Sequence, residues 1–252
     1  VAVYRDVGVV VNTHDFSESS RIVVIAGRER GVLRLVAKGV RRAKARYGTA
    51  LDRLSTVGVV YSRKVEAELG TLRTASLVAD RGELSRKYER LVYASAAAEL
   101  IERLLRPYDP NPIVVSRFEK TLDALSALDG DDLTRLFWAF VWFAVANVGL
   151  APQLDVCVAT GKRYTSGPAR FSCRQGGLVS SEAAGRLPQR DLVSLSGEAV
   201  TALRRWLAGE RAAVSPDDAS ALGVAAEGFL REHVPGFRAF RSLESHERRG
   251  DG

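Results

Sequence analysis

Five cations stand close together in the first third of the chain. Lys38, Arg41, Arg42, Lys44 and Arg46 fall within nine residues, with no acid among them. Cations at this density neutralise phosphates, and counterion release supplies the binding free energy. Gly39 and Ala43 keep the segment open, Arg34 lies on the stretch leading into it, and Tyr47 just beyond offers a ring on which a base can stack. The plainer reading is a solvated basic turn.

Chemistry of other kinds has little support. The Gly161-Lys162 pair is followed by Arg163 and lacks the upstream glycine of a nucleotide-phosphate loop. No Gly-x-Gly-x-x-Gly follows a strand. His14, His233 and His246 are scattered, and none sits at a metal-binding spacing. The residues therefore point to no catalytic site. Trp138 and Trp142 share one face of an apolar stretch and could form a stacking platform, but Phe137, Phe140 and Phe143 surround them, so core packing is expected.

The charge is distributed unevenly. The chain has 252 residues and a net charge of +7. Residues 1–79 hold 14 Lys/Arg against 7 Asp/Glu, whereas residues 80–252 hold 23 of each. The whole excess thus belongs to the first third, which suggests a polyanionic partner for that part.

The elements that would carry the basic segment read as β. Val7–Val11, Arg21–Ala26, Val32–Ala37, Val57–Ser62 and Thr71–Leu77 are the expected strands, with a hairpin turn over Gly27–Gly31. Five short strands in this length fit a small Greek-key barrel such as an OB-fold; a three-stranded sheet with a helical insert is the competing reading. The period then changes. Glu83–Leu105, Ile113–Leu128 and Leu133–Val148 are expected helices, the last apolar all round, with Asp129-Gly130-Asp131 capping it. Residues 150–190, rich in Gly and Ser, read as a small irregular module. Helices resume at Ser196–Leu207 and Asp217–His233, and the polar tail from Ser242 is expected to be disordered.

The fold class expected is α+β in several parts. Residues 1–79 form an OB-fold β-barrel that binds nucleic acid. Residues 80–154 and 190–241 form an α-helical domain, interrupted by an insert over 155–189, and 242–252 form the tail. Cys157 and Cys173 are the only cysteines and make no disulfide framework, so a cytoplasmic setting is expected. No signal peptide opens the sequence, and Leu136–Ala146, the longest apolar run, is too short to span a bilayer. The chain has no methionine, and Val1 reads as a GTG start or a trimmed end.

Several stretches resemble the RecO family of DNA-repair recombination mediators. The first runs from Asp15-Phe16-Ser17-Glu18-Ser19-Ser20 to Ile25, followed by Gly31-Val32-Leu33-Arg34-Leu35-Val36-Ala37-Lys38-Gly39-Val40-Arg41-Arg42. Leu69-Gly70-Thr71-Leu72-Arg73 is similar to the last barrel strand of that family. Arg135–Leu150, with Pro152 and Leu154-Asp155-Val156-Cys157, is similar to its helix-to-module junction, and Gly176-Gly177-Leu178-Val179 matches its Gly-Gly pair. The resemblance implies binding to single- and double-stranded DNA, strand annealing without cofactor or catalysis, and a nucleoid-associated place in the cytoplasm. It also implies partnership with RecR, indirect help to RecA, and binding of the acidic tail of single-strand-binding protein, SSB. Arg117, Lys120 and Arg135 flank apolar helix faces and are the candidates for that tail.

The resemblance further implies a zinc-ribbon-like insert, and here the chain departs from it. The family pattern has Cys-x-x-Cys twice, a closed tetrahedral zinc site. Cys157 is followed by Thr160 where the second thiol belongs, and Ser180 and Ala183 occupy the second pair. Cys173 lies off the motif. The expectation is an insert that has lost its metal ligands and is held by packing of Tyr164, Phe171 and Leu178. Two other functions remain open on the residues alone: an OB-fold RNA-binding or ribosome-associated factor, and a protein-interaction scaffold whose basic loop is mere surface.

Overall fold

The structure, a computed structural model, describes residues 2–40, 47–64 and 66–250. The chain divides into two compact units, one ending at Leu128 and the other running Asp129–Arg248. Each is described by itself.

The first unit is built on five strands: β1 (Ala2–Ser17), β2 (Ser20–Gly27), β3 (Gly31–Ala37), β4 (Thr56–Arg63) and β5 (Gly70–Ala79). They close into a barrel in the order β1-β2-β3-β5-β4. This is the small Greek-key barrel that the strand pattern predicts, of OB type. β1 runs well beyond the expected Val7–Val11. Its first half pairs with β4 from Ala2 to Val9, and its second half pairs with β2 from Gly8 to Ser17. Register shifts at Val10/Asn12 and Asp15/Ser17 bend it from one partner to the other. Arg5, Asp6, Asn12, His14 and Asp15 interrupt the apolar run, so hydropathy shows only the strand's middle.

Inside the barrel lie Val10, Val23, Ile25, Leu33, Leu35, Val57, Val59, Tyr61 and Leu72. The alternate residues Val9, Val11, Val24 and Ala26 are also fully buried. Helix α1 (Tyr88–Leu104) packs on the outside of β1 and β2 and covers them. Helix α2 (Pro112–Leu125) follows; Asn111 caps it by accepting the Val114 N–H at 3.1 Å, and Pro112 opens its first turn. These two helices read from the sequence as the start of the helical domain, yet they pack with the barrel.

Acids on α1 and α2 fasten the barrel. Asn12 donates to Glu102 at 2.8 Å, Arg28 pairs with the buried Glu119 at 2.7 Å, and Arg81 pairs with Asp123 at 2.7 Å. The β2–β3 turn is tied in from both sides. The buried Asp6 carboxylate accepts from the N–H groups of Val7 and Glu29, at 2.7 and 3.2 Å. Gly31, at φ +64°, presses so closely on the 106–109 loop that a Cβ there would lie 2.3 Å from the Asp109 carbonyl oxygen.

The second unit is organised by α3 (Asp131–Asn147), α5 (Gly197–Leu207) and α6 (Pro216–His233). Gly130, without a side-chain hydrogen bond, holds the cap of α3 that the flanking aspartates were expected to supply. Trp142 is fully buried, donates its indole N–H to the Leu222 carbonyl at 3.2 Å and meets Phe171 edge-on. Trp138 is buried against Phe137 and Phe240. Both tryptophans are therefore core. The insert contributes β6 (Ala169–Ser172), β7 (Gly177–Val179), the short α4 (Ser181–Ala184) and β8 (Leu192–Leu195). Its strands form a sheet in the order β7-β6-β8. Phe171 and Leu178 are fully buried, and Tyr164 is half-buried with its hydroxyl donated to the Gly167 carbonyl.

The tail departs from expectation. Helix α7 spans Arg241–Gly250 where disorder was predicted from Ser242. Phe237 and Phe240 are buried just before it, and the Glu244 N–H donates to the Phe240 carbonyl, so the helix grows out of a packed aromatic pair. Among the described residues no helix is long and apolar enough to cross a membrane.

Candidate nucleic-acid interface

Strand alternation decides which barrel residues face out. On β3, Leu33, Leu35 and Ala37 are buried in the barrel, so Arg34 and Val36 belong to the other face, and Lys38 is exposed in the turn that follows the strand. β3 pairs in parallel with β5 through Leu35↔Gly70 and Val36↔Thr71. Along β5, Leu72 is buried while Thr71 is half-exposed and Arg73 exposed. The seam between these strands thus carries Arg34 and Thr71 on its outer side, with Lys38 and Arg73 exposed just past its end. Lys38 and Arg73 each lie two residues beyond the Val36↔Thr71 pair and leave the seam at the same end. Among the described residues no acid pairs with either.

Arg34 is half-buried and lies 3.8 Å from Glu102. It lines a cleft of about 350 Å³ with Arg63, Glu66, Glu68, Pro107 and Tyr108. In that cleft the Arg63 guanidinium stacks 3.6 Å from the centre of the Tyr108 ring, whose hydroxyl donates to the Glu68 carbonyl. Burial raises the Tyr108 hydroxyl above its ordinary value; the neighbouring Arg63 acts in the opposite direction.

Of the sequence-predicted residues, Arg34 lies on the seam and Lys38 just past its end. Arg41, Arg42, Lys44 and Arg46 lie outside the described residues. Tyr47 is a correction: it is buried in the barrel and its hydroxyl donates to the Leu72 carbonyl at 3.4 Å, so its ring is not available to a base. Arg63 and Arg73 were missed. Arg73 falls within the Leu69–Arg73 stretch that is similar to the family's last barrel strand. The strand alternation that places Leu72 inside could have marked it.

The three cations proposed for an acidic tail are divided between the two units. Arg117 is half-buried and Lys120 exposed, both on α2 in the first unit. Arg135 lies on α3 in the second unit and pairs with Asp132 one turn away.

The insert holds its cysteines apart in kind. Cys173 is buried with its sulfur 3.8 Å from the Ala225 carbonyl oxygen, and burial pushes the thiol up. Cys157 is buried beside Ser180, whose N–H donates to the sulfur at 3.2 Å. The zinc that the resemblance implies does not fit these residues. Around Cys157 the donor set is one thiol, the Thr160 and Ser180 hydroxyls and the methyl of Ala183, and no cluster of three His, Cys, Asp or Glu occurs among the described residues.

A closed OB-type barrel with a basic seam, followed by a helical unit, defines the class of nucleic-acid-binding proteins to which the molecule is referred. Comparison with known proteins narrows this. The family model for the recombination protein O N terminal matches residues 1–81, and that for its C terminal matches residues 85–244. The DNA repair protein RecO of Anaeromyxobacter sp. (strain K) is 31% identical over 231 residues, covering 90% of each chain. That of Myxococcus xanthus is 31% identical over 234 residues, and that of Halalkalibacterium halodurans is 34% identical over 173 residues, 68% of this chain and 65% of the other. The chain belongs to the RecO family of DNA-repair proteins. The RNA-binding and scaffold readings give way to a role in DNA repair.

Proposed function

We propose that the chain is a non-catalytic recombination mediator that binds and anneals single-stranded DNA, binds duplex DNA as well, and with RecR assists RecA on DNA coated by SSB. The observation that carries the binding step is the outer side of the β3–β5 seam. Arg34 is on that side, Lys38 and Arg73 are exposed just past its end, and in the sequence β3 is followed at once by the cation-dense stretch Lys38–Arg46. Neutralising two strands at once lowers their mutual repulsion, and no nucleotide hydrolysis is needed. The site of action would be the nucleoid in the cytoplasm.

The test is annealing of complementary oligonucleotides by the pure protein, with and without SSB on the strands. Faster annealing in both cases, at no measurable ATP turnover, is the expected result. If about four cations contact phosphate, log K falls with log salt at a slope of about −3 to −4. No salt-dependent binding, or annealing that requires ATP, overturns the reading.

For the SSB tail, Arg117, Lys120 and Arg135 remain the proposed contacts, since an acidic segment with an aromatic end needs a cation beside an apolar surface. A cleft of about 590 Å³ in the second unit, edged by Tyr164, Arg204 and Arg205, competes with them. Substituting each set by alanine separately and measuring tail-peptide binding decides between the two. The insert is proposed to be a zinc ribbon that has lost its ligands and needs no metal.

A further inference from the structure

The insert contains a polar construction that DNA binding does not use. Cys157 opens a tight turn: its carbonyl accepts from the N–H groups of Thr160 at 3.3 Å and Gly161 at 2.8 Å. Gly161 closes the turn at φ +71°, in the left-handed region that glycine enters at little cost. The sulfur of Cys157 is buried, and a second loop meets it there. Ser180 donates its N–H to the sulfur at 3.2 Å, and its hydroxyl lies 3.7 Å away. The Thr160 side chain and the Ala159 N–H complete the set. The same Ser180 hydroxyl accepts the Ala183 N–H at 3.4 Å. Ala183 packs with Cys157, Val179, Ala184 and Leu192 in one small apolar cluster.

Two loops therefore converge, each offering a pair of positions three residues apart: 157 with 160, and 180 with 183. That is the spacing at which two pairs of thiolates close a tetrahedral metal site. Only one of the four positions holds a sulfur. Burial by itself would push that thiol up, but the hydrogen bonds from Thr160, Ser180 and Ala159 outweigh it and bring Cys157 down to about 6. Dipoles aimed at a buried anion stabilise it as a cation would.

We infer that positions 157, 160, 180 and 183 form a metal-site frame in which hydrogen bonds to one sulfur join the two loops in place of an ion, and that the frame takes a divalent soft cation once thiols stand at 160, 180 and 183. The inference rests on the proposed reading of the insert as a degenerate zinc ribbon and deepens it. The fastening holds no ion, so the insert should be indifferent to chelators.

The experiment titrates Co²⁺ into the reduced full-length protein and into the T160C/S180C/A183C variant. The wild type is expected to give no thiolate–cobalt absorption. The variant is expected to bind about one equivalent with the strong visible bands of a tetrahedral site. A folded variant that takes up no cobalt overturns the frame, and stoichiometric zinc in the wild-type protein overturns the replacement. Because the triple variant could fail to fold, a double-mutant cycle tests the hydrogen bonds independently. Thr160→Val should lower Tm by about 2–4 °C in the wild-type background and by less than about 1 °C in a Cys157→Ala background. Equal losses in both backgrounds overturn the fastening. Cobalt uptake addresses the ribbon frame and the cycle addresses the sulfur's hydrogen bonds, so each can fail without the other.

Discussion

The barrel seam and the Cys157 turn are both places where polar groups gather, and they are finished in opposite ways. At the seam Glu102 of α1 reaches Arg34, and Glu66 and Glu68 line the same cleft; elsewhere on the barrel unit Glu119 of α2 reaches Arg28 and Asp123 of α2 reaches Arg81. Lys38 and Arg73 are exposed, and among the described residues no acid pairs with either. Around Cys157 the sulfur is buried and is answered by hydrogen bonds, the Ser180 N–H among them, although Thr160 itself lies at the surface. Charge near the insert is also internally paired, as in Lys162–Glu182 and Arg205–Glu210, at 3.5 and 3.1 Å. A construction left unsatisfied at the surface is suited to binding; one satisfied in the interior is suited to holding the fold.

The largest expected effect separates the two regions outright. Trp142→Ala removes a fully buried ring from the α3–α6 core and should cost about 3–5 kcal/mol in urea unfolding of the second unit. All three tryptophans lie in that unit, so the emission of Trp138 and Trp206 reports on it alone. At temperatures where the variant is folded, the salt slope of DNA binding should be unchanged; a flattened slope would mean that the helical unit supplies phosphate contacts.

Next in size is the loss of cations from the barrel. Replacing Arg41, Arg42 and Lys44 by alanine should flatten the salt slope by about 2 units. Replacing Arg34, Lys38 and Arg73 should flatten it by about 2 as well, with little change in unfolding midpoint. If only the first set matters, the phosphate contacts belong to the cation-dense stretch and not to the seam.

A smaller effect probes the buried sulfur by pH. The folded value of Cys157, about 6, lies below the ordinary 9.0, so its contribution to stability is complete above pH 9 and is lost as pH falls through about 6. Tm of the wild type should exceed that of Cys157→Ser by roughly 3–6 °C at pH 9, and the gap should close towards pH 6. A gap independent of pH would reduce the fastening to packing.

The smallest effect belongs to Asp6 under the β2–β3 turn. Burial raises this carboxyl above 3.8, against the pull of the Glu29 and Val7 N–H groups. Its bound proton therefore favours the folded state below pH 3.8, and that advantage is lost as pH rises through the folded value. Between about pH 4 and pH 7, Asp6→Asn should gain on the wild type by about 1–3 °C in Tm. No gain would mean that solvent reaches the carboxylate.

Much of the fold was legible because period is a local property. The alternation at Val32–Ala37 and the helical spacing at Leu133–Val148 survive whatever they pack against. The length of β1 was not legible, since its polar residues sit on a strand held by ladders to two partners far away in sequence. Nor was the end of the barrel unit: Val9, Val11, Val24 and Ala26 show that β1 and β2 need a cover, but nothing local says that α1 provides it. Tyr47 was misread for the same reason, because a tyrosine beside a basic loop has the same local signature whether its ring turns out to solvent or into a barrel.

By itself the chain of residues determined the strand and helix periods, the concentration of cations before residue 80, and the threonine in place of a thiol at position 160. Those properties depend on residue types and short spacings, and folding does not alter them. Only the tertiary structure decided that β3 and β5 meet in a parallel seam beside Arg34, that Tyr47 is core beneath Leu72, and that Ser180 meets the Cys157 sulfur. Each of these is a contact between segments distant in sequence. Which side chains such contacts bury, pair or leave exposed is settled by the closing of the barrel and the packing of the insert, not by any stretch of residues alone.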